Sequence, residues 1–165
     1  MKKVVAIAAF LCAGMASVQA QDLSKNALGL RIGGNNGFGV EASYQVAVAQ
    51  KNRIEIDLGW RSGDHIDHVK AVGTYQWVFP IENGFNWYVG PGVGIAHSSW
   101  DYGVGPYRND DSKTYVLIAG QIGIEYNIKS VPLQLSLDFR PEFYLSDGLK
   151  DDFGPDFAFG IRYKF

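Results

Sequence analysis

The chain alternates apolar and polar residues with a period of two along most of its length. In the stretch FAFGIRYKF, residues 157–165, apolar or aromatic side chains occupy every second position, with small or charged ones between them. Such alternation predicts β-strands with two different faces, because successive side chains of a strand point to opposite sides. The sequence shows no long apolar stripe at helical spacing, so we predict an all-β fold.

The alternation continues through eight segments separated by turn-forming residues. We predict strands at residues 27–34, 38–48, 53–61, 68–79, 85–97, 114–128, 133–145 and 153–165. The connections AQKN, PIENG and NIKSVP are short, whereas SGDHID, SWDYGVGPYRNDDSK and SDGLKDD are longer and polar; on that side only GGNNG is short. An even number of strands with alternating short and long connections is typical of transmembrane β-barrels.

Aromatic residues collect near the two ends of the predicted strands. At the end with the short turns they are Trp77, Phe79, Phe85, Trp87, Tyr126, Tyr163 and Phe165, and toward the other end they are Phe38, Trp60, Phe143 and Phe157. Two aromatic girdles around an aliphatic band are typical of a barrel in a bilayer. We therefore predict an eight-stranded antiparallel up-and-down transmembrane β-barrel with its apolar face toward lipid, rather than a soluble sandwich that buries this face.

The first twenty residues differ in character from the rest. Lys2 and Lys3 precede an apolar run, and small residues lead to Val18-Gln19-Ala20. This pattern predicts a secretory signal peptide cleaved after Ala20. The chain then divides into a signal peptide (1–20), a short N-terminal segment (21–26) and a β-barrel domain (27–165). The single cysteine, Cys12, leaves with the signal peptide, so the mature chain has no thiol for a disulfide or a metal site.

Charged side chains fall on the polar face of the predicted strands, which lines the barrel interior. Six of each sign do so: Arg31, Glu41, Glu55, Asp57, Arg61, Lys70, Glu125, Asp138, Arg140, Glu142, Arg162 and Lys164. Buried charges must be paired, and an eight-stranded barrel is only wide enough for side chains to fill. Register is expected to bring Glu41 near Arg31 and Arg61, and to place Asp138 diagonal to Arg162. Balanced signs favour a neutralised structural network over a narrow polar conduit.

The net charge of the mature chain indicates whether a nucleic acid could be a partner. Removal of Lys2 and Lys3 leaves 13 basic residues against 17 acidic ones. A nucleic-acid-binding protein would favour a basic patch or stripe, so this balance argues against a nucleic-acid partner.

The barrel pattern and the C-terminal alternation together resemble the small eight-stranded outer-membrane barrels of the OmpA/OmpX-like superfamily, over about residues 27–165. In that group the barrel-assembly machinery recognises a C-terminal aromatic preceded by alternating apolar residues, and Ile161, Tyr163 and Phe165 match this signal. The resemblance implies a monomer in the outer membrane of a Gram-negative bacterium after signal-peptide cleavage. It also implies contact with outer-membrane lipid and lipopolysaccharide.

A histidine near the upper rim suggests an enzyme as an alternative. His97 and Ser99 share one face, and His-x-Ser at this place resembles the site of the lipid A 3-O-deacylase family, barrels whose Ser–His–Glu triad faces the outer leaflet. A serine–histidine pair needs a third group that orients the histidine. Asp110 or Asp111 lies in the adjoining loop, and there is no clear glutamate. A rim histidine beside solvated serines is the favoured interpretation.

Two further motifs have a structural interpretation. DHIDH, residues 64–68, has histidines and aspartates that could hold a metal, but such spacing is weak support and a solvated loop is favoured. GPGVGIA, residues 90–96, lies inside a predicted strand without a following helix, which excludes a phosphate-binding loop. Its glycines are predicted to make room inside the barrel. We expect no metal and no cofactor.

Three classes of function stay open at this point. The favoured one is a structural outer-membrane barrel that contributes to envelope integrity or surface contacts. The alternatives are a narrow solute channel and an outer-leaflet lipid A deacylase-like enzyme.

Overall fold

The structure is a computed structural model that describes residues 23–33, 39–63, 66–102, 109–145 and 152–165. The predicted signal peptide, 1–20, lies outside the described residues, as do Phe38 of the predicted upper girdle and residues 64 and 65 of DHIDH. The side chains of Arg61, Asp110 and Asp111 also lie outside what is described.

Eight antiparallel strands form a closed barrel in which each strand pairs with the next along the chain and the last pairs with the first. The strands are β1 (Asn26–Gly33), β2 (Gly39–Ala49), β3 (Asn52–Gly63), β4 (Ile66–Pro80), β5 (Phe85–Tyr102), β6 (Asn109–Asn127), β7 (Leu133–Leu145) and β8 (Asp152–Lys164). The predicted all-β, up-and-down barrel is confirmed. Within the described ranges, no helix has the length and apolarity needed to cross a membrane.

The β5–β6 hairpin is longer than predicted. The sequence pattern placed a loop from about residue 98 to 113, but pairing continues to Tyr102 and Asn109. Much of this segment is therefore a two-stranded ribbon. Backbone pairing needs no apolar face, and the residues of this ribbon are mostly polar on both sides, so the alternation that reveals a strand in the sequence is missing here.

Three short connections lie together at one end of the barrel, which we call the short-turn end. They are residues 50–51, 81–84 and 128–132. In the second connection Asn83 and Gly84 have φ angles of 54° and 95°. Positive φ at two central residues is the mark of the hairpin turn that matches the twist of paired strands, so this turn fixes the β4–β5 register.

The outer face of the barrel is apolar and exposed. Phe157 and Val93 are each 65% exposed, and Leu137 is 58% exposed. A water-soluble protein would bury such a continuous band, whereas a transmembrane barrel presents it to lipid. The inverted polarity expected from the sequence is therefore present in the structure.

Aromatic side chains pack against each other at the short-turn end. Phe79 stacks on Trp87 and Phe85 packs on Tyr126, each pair with ring centroids 4.5 Å apart. Other members of the predicted girdles, Trp60, Trp77, Tyr163 and Phe165, are exposed on the outer face. Phe143, toward the other end, packs on Phe153 with centroids 5.3 Å apart. These contacts join neighbouring strands at the depths where aromatic rings meet the membrane interface.

Glycines let β5 approach β4 closely. A Cβ at Gly90 would overlap the carbonyl oxygen of Tyr75, and one at Gly92 would lie 2.6 Å from Thr74 Cγ2. By contrast, a Cβ at Gly73 would meet nothing within 4 Å. The room that the glycine-rich segment provides is thus needed by the backbone and side chains of the neighbouring strand.

Candidate functional site: the interior charge network

The barrel interior is filled mostly by polar and charged side chains, beside a small apolar cluster of Val72, Leu117 and Ala119. Twenty polar or charged side chains are buried among the described residues, against seven apolar or aromatic ones. The largest fully buried side chains are Arg31, Arg140 and Arg162, each at most 1% exposed. Since the apolar face of every strand points outward, these residues take the place of the core.

Arg31 on β1 pairs with carboxylates from three other strands. Its Nε and Nη2 donate to Asp138 Oδ1 on β7, at 3.0 and 2.6 Å. Its Nη1 donates to Asp156 Oδ2 on β8 at 2.7 Å and to Glu41 Oε2 on β2 at 2.9 Å. One guanidinium thus ties together both sides of the seam where the barrel closes.

Arg140 on β7 extends this group across the lumen. Its Nη1 donates to Asp57 Oδ2 at 2.7 Å, and its Nη2 donates to Glu41 Oε1 at 2.7 Å. It also donates to Glu142 and Asp156, both at 3.0 Å. Lys70 Nζ adds contacts of 3.0 Å to Glu41 and 2.9 Å to Glu142. We call these eight residues the Arg140 cluster: Arg31, Glu41, Asp57, Lys70, Asp138, Arg140, Glu142 and Asp156.

A second group lies nearer the short-turn end and contains Arg53, Glu55, Glu125 and Arg162. Arg162 pairs with Glu55 through its Nη2, and its Nη1 and Nε donate to Ser136 at 2.7 Å and Ser43 at 2.8 Å. Arg53 Nη1 lies 2.6 Å from Glu125 Oε2. Each arginine therefore has a buried carboxylate, as charges removed from water require.

Uncharged polar side chains close the remaining space in the lumen. Gln76 on β4 donates to Glu55 on β3 at 2.6 Å and to Gln121 on β6 at 2.8 Å. Tyr88 is fully buried, and its hydroxyl donates to Asp138 Oδ2 at 3.3 Å. Arg53, one of the two arginines of the second group, lies over the Tyr88 ring at 4.8 Å from its centroid. The two charged groups are therefore joined by packed side chains.

The structure buries nine of the twelve charges predicted to face the interior: Arg31, Glu41, Glu55, Asp57, Glu125, Asp138, Arg140, Glu142 and Arg162. The Arg31–Glu41 contact expected from register is formed. Arg61 pairs in register with His68, and its side chain is not described, so the expected Glu41–Arg61 contact stays a prediction. Glu41 instead contacts Arg140 and Lys70.

The expected diagonal placement of Asp138 and Arg162 is wrong, because Asp138 lies opposite Ala158 and Arg162 lies opposite Gln134. Asp138 pairs with Arg31, whereas Arg162 reaches Glu55 across the lumen. Strand parity predicts which residues face inward. It does not predict their partners, because a long arginine side chain can pair across the barrel as well as with a neighbouring strand.

Sequence reasoning missed two buried charges, Arg53 and Asp156. They are 3% and 0% exposed. A signal for both was available, because Arg53 shares the parity of Glu55 and Asp156 that of Arg162. Each lies toward the beginning of its strand, where apolar and polar residues alternate less regularly in the sequence.

The candidate pair His97 and Ser99 forms no mutual contact. His97 is exposed, and its Nδ1 lies 2.9 Å from Thr114 Oγ1 on the adjacent strand. The histidine–serine contact present in the described residues is between His68 Nδ1 and Ser98 Oγ, at 2.6 Å. In the described part of the chain, no group of three or more His, Cys, Asp and Glu residues has the arrangement of a metal site.

The closed barrel with a polar interior and an apolar outer band defines the fold of the small eight-stranded outer-membrane β-barrels. Solved structures with this fold include outer membrane protein H (OprH) from Pseudomonas aeruginosa, with a TM-score of 0.65 and 15% identity over 86% of this chain and 100% of that one. Neisserial surface protein A (NspA) has a TM-score of 0.62 and 14% identity, over 85% and 94% of the two chains. The N-terminal β-barrel domain of Pseudomonas aeruginosa OprF has a TM-score of 0.59 and 12% identity, over 87% and 100%.

Sequence comparison adds no closer relative: neither a family model nor a curated protein matches the chain. The structural likeness establishes the fold, and it agrees with the resemblance to OmpA/OmpX-like barrels found in the sequence.

Proposed function

We propose that the protein is an integral outer-membrane barrel with a structural role, contributing to envelope integrity or surface contacts, with no solute path through its interior. The observation that carries this proposal is the set of cross-lumen ion pairs. Arg31, Arg140 and Arg162 are at most 1% exposed, and their partners come from strands on other parts of the wall. Charges that serve conduction need water beside them, whereas these have protein partners.

The energetics of the pairs support a closed interior. Removing one partner of a buried ion pair costs about 3–5 kcal/mol, because it leaves an uncompensated charge. A path along the lumen would separate several such pairs at once. Opening such a path would therefore require several charges to exchange their protein partners for water.

Recordings from planar bilayers test the proposal against the channel alternative. The folded barrel, identified by its faster migration on an unboiled gel, is reconstituted beside a wide porin that serves as the positive control. We expect no stable conductance steps from the wild type. Steps that change in Glu41→Gln but not in Lys51→Gln, a substitution in an exposed turn, would show that the network lines a conduit.

The contacts of His97 give the deacylase alternative less support, since its Nδ1 is engaged with Thr114 rather than with Ser99. Mass analysis of lipid A after co-expression tests this directly. We expect the same lipid A masses with the wild type and with His97→Asn. Loss of one acyl chain with the wild type alone would establish the enzyme.

A further inference from the structure

A cavity of about 850 Å³ opens at the short-turn end of the barrel. Its walls include the segment before β1, the end of β8 and the turn at residues 128–132, and its inner lining includes Arg53 and Glu125. The 2.6 Å contact between these two side chains closes the cavity toward the lumen. The volume lies in the range of small-molecule pockets.

The described lining is strongly cationic. Lys25, Lys129, Lys164 and Arg53 face one carboxylate side chain, that of Glu125. None of the three lysines forms an ion pair with another described residue. Lys164 Nζ donates to Asn127 Oδ1 at 3.2 Å, a neutral acceptor, and the Glu125 carboxylate attracts it without forming an ion pair.

Glu125 is one carboxylate against four cationic side chains, and its oxygens are already in contact with four other side chains. Its Oε1 accepts from Asn86 Nδ2 at 2.9 Å and from Asn127 Nδ2 at 3.3 Å. Its Oε2 accepts from Gln134 Nε2 at 2.8 Å and lies 2.6 Å from Arg53 Nη1. The cavity therefore keeps an excess of positive charge.

We propose that this cavity binds a phosphate group. Four cationic side chains from separate segments suit an anion with several acceptor oxygens and more than one charge, and the hydroxyls of Ser24 and Ser130 in the lining add donors. The short turns of transmembrane barrels face the periplasm. The phosphate therefore comes either from a soluble phosphate compound of that compartment or from the headgroup of an inner-leaflet phospholipid.

Backbone amide NMR on the folded full-length mature barrel in uncharged maltoside micelles tests the site. Inorganic phosphate, glycerol phosphate and a short-chain phosphatidylglycerol are titrated separately, with chloride at matched ionic strength as the control. We expect saturable shifts at Gly84, Lys129 and Ser130. Saturation by the soluble phosphates assigns a free ligand, and saturation by the lipid alone assigns the headgroup.

The matched variants are a triple substitution, Lys25→Gln with Lys129→Gln and Lys164→Gln, and the single Lys51→Gln. Lys51 lies in a turn at the same end but outside the cavity lining. Hydrogen bonds to charged groups predict a dissociation constant raised about tenfold or more in the triple variant, and unchanged in Lys51→Gln. If the triple variant fails to fold, Lys129→Gln in its exposed turn replaces it.

The proposal is overturned if no probe gives saturable shifts beyond those of chloride. It is also overturned if Lys51→Gln weakens binding as much as the cavity substitutions, because the effect would then be diffuse charge attraction. Neither outcome bears on the closed lumen, which bilayer recording tests separately.

Discussion

Among the described residues, Arg140 pairs with the largest number of buried carboxylates. It donates to Glu41, Asp57, Glu142 and Asp156, carboxylates from β2, β3, β7 and β8. Charge-assisted hydrogen bonds of this kind are about twice as strong as neutral ones. The Arg140 cluster already has five carboxylates against three cations, so the loss of this side chain leaves those carboxylates with only Arg31 and Lys70.

For this reason we expect Arg140→Gln to lower the free energy of unfolding by about 3–5 kcal/mol. Urea unfolding in micelles, followed by tryptophan fluorescence, measures the change. The control is Lys51→Gln, an exposed turn substitution that should change stability by less than about 0.5 kcal/mol. Equal stability of the two variants would mean that the network contributes nothing to the fold.

Parity along each strand was enough to predict that Arg31, Glu41 and Arg140 face inward. It was not enough to predict their partners. Arg31 donates to Asp138, which is 107 residues away in the sequence. The alternation within one strand cannot predict such a contact, because a long guanidinium side chain reaches other strands only after the barrel has closed. Most members of the network could therefore be predicted from the sequence, but their partners could not.

At the scale of elements, the β4–β5 pair depends on residues without side chains. The Gly90 position lies against the Tyr75 carbonyl, whereas the Gly73 position is open. The two glycines lie on adjacent strands of the same pair. A difference between their alanine variants would therefore reflect the space available for a Cβ atom and not the general β propensity of alanine.

We expect Gly90→Ala to reduce the yield of folded barrel sharply and Gly73→Ala to leave it unchanged. An added Cβ at Gly90 meets backbone, which cannot move without breaking the ladder, and overpacking of this type costs about 1–3 kcal/mol or more. The fraction of heat-modifiable band after refolding measures the effect. Similar yields for both variants would contradict the close approach of the strands.

The apolar band of β7 gives a second test at this scale. Leu137 and Leu145 lie on the same outer face, 58% and 55% exposed. Leu137 lies in the middle of the band, since its register partners are Ile124 and Phe159, whereas Leu145 ends the strand away from the short turns.

An arginine should therefore cost much more at Leu137 than at Leu145. On the lipid face the cost is about 2–4 kcal/mol at the bilayer midplane and about 0–1 kcal/mol near an interface. Unfolding of Leu137→Arg and Leu145→Arg in lipid bilayers measures the difference. Equal costs would place the membrane at another height on the barrel.

The bounds of most strands could be predicted because lipid on one side and packed polar groups on the other impose a strict alternation. The β5–β6 ribbon escaped prediction where this contrast ends: Ser99 and Ser112 are register partners there, polar residues outside the apolar band. Beyond the apolar band the two strands continue by backbone pairing, which does not require alternation of apolar and polar residues in the sequence.

At the scale of the whole molecule, signal-peptide cleavage and closure of the barrel can be tested on the same outer-membrane material. Small residues at positions 18 and 20 predict a mature chain that begins at Gln21. We expect N-terminal sequencing of the outer-membrane fraction to return Gln21, and the same material to migrate faster unboiled than boiled. A chain that keeps Met1 would contradict the export prediction, and the absence of a gel shift would contradict a closed barrel.

The seam between β8 and β1 also sets the order of events in folding. Arg31 finds Asp156 at a separation of 125 residues, and Arg162 finds Ser43 at a separation of 119. These partners meet only when the last strand docks on the first, so any partly built sheet must keep their charges hydrated. The lumen consequently loses its water at the final step, and such dependence on distant contacts makes that step slow.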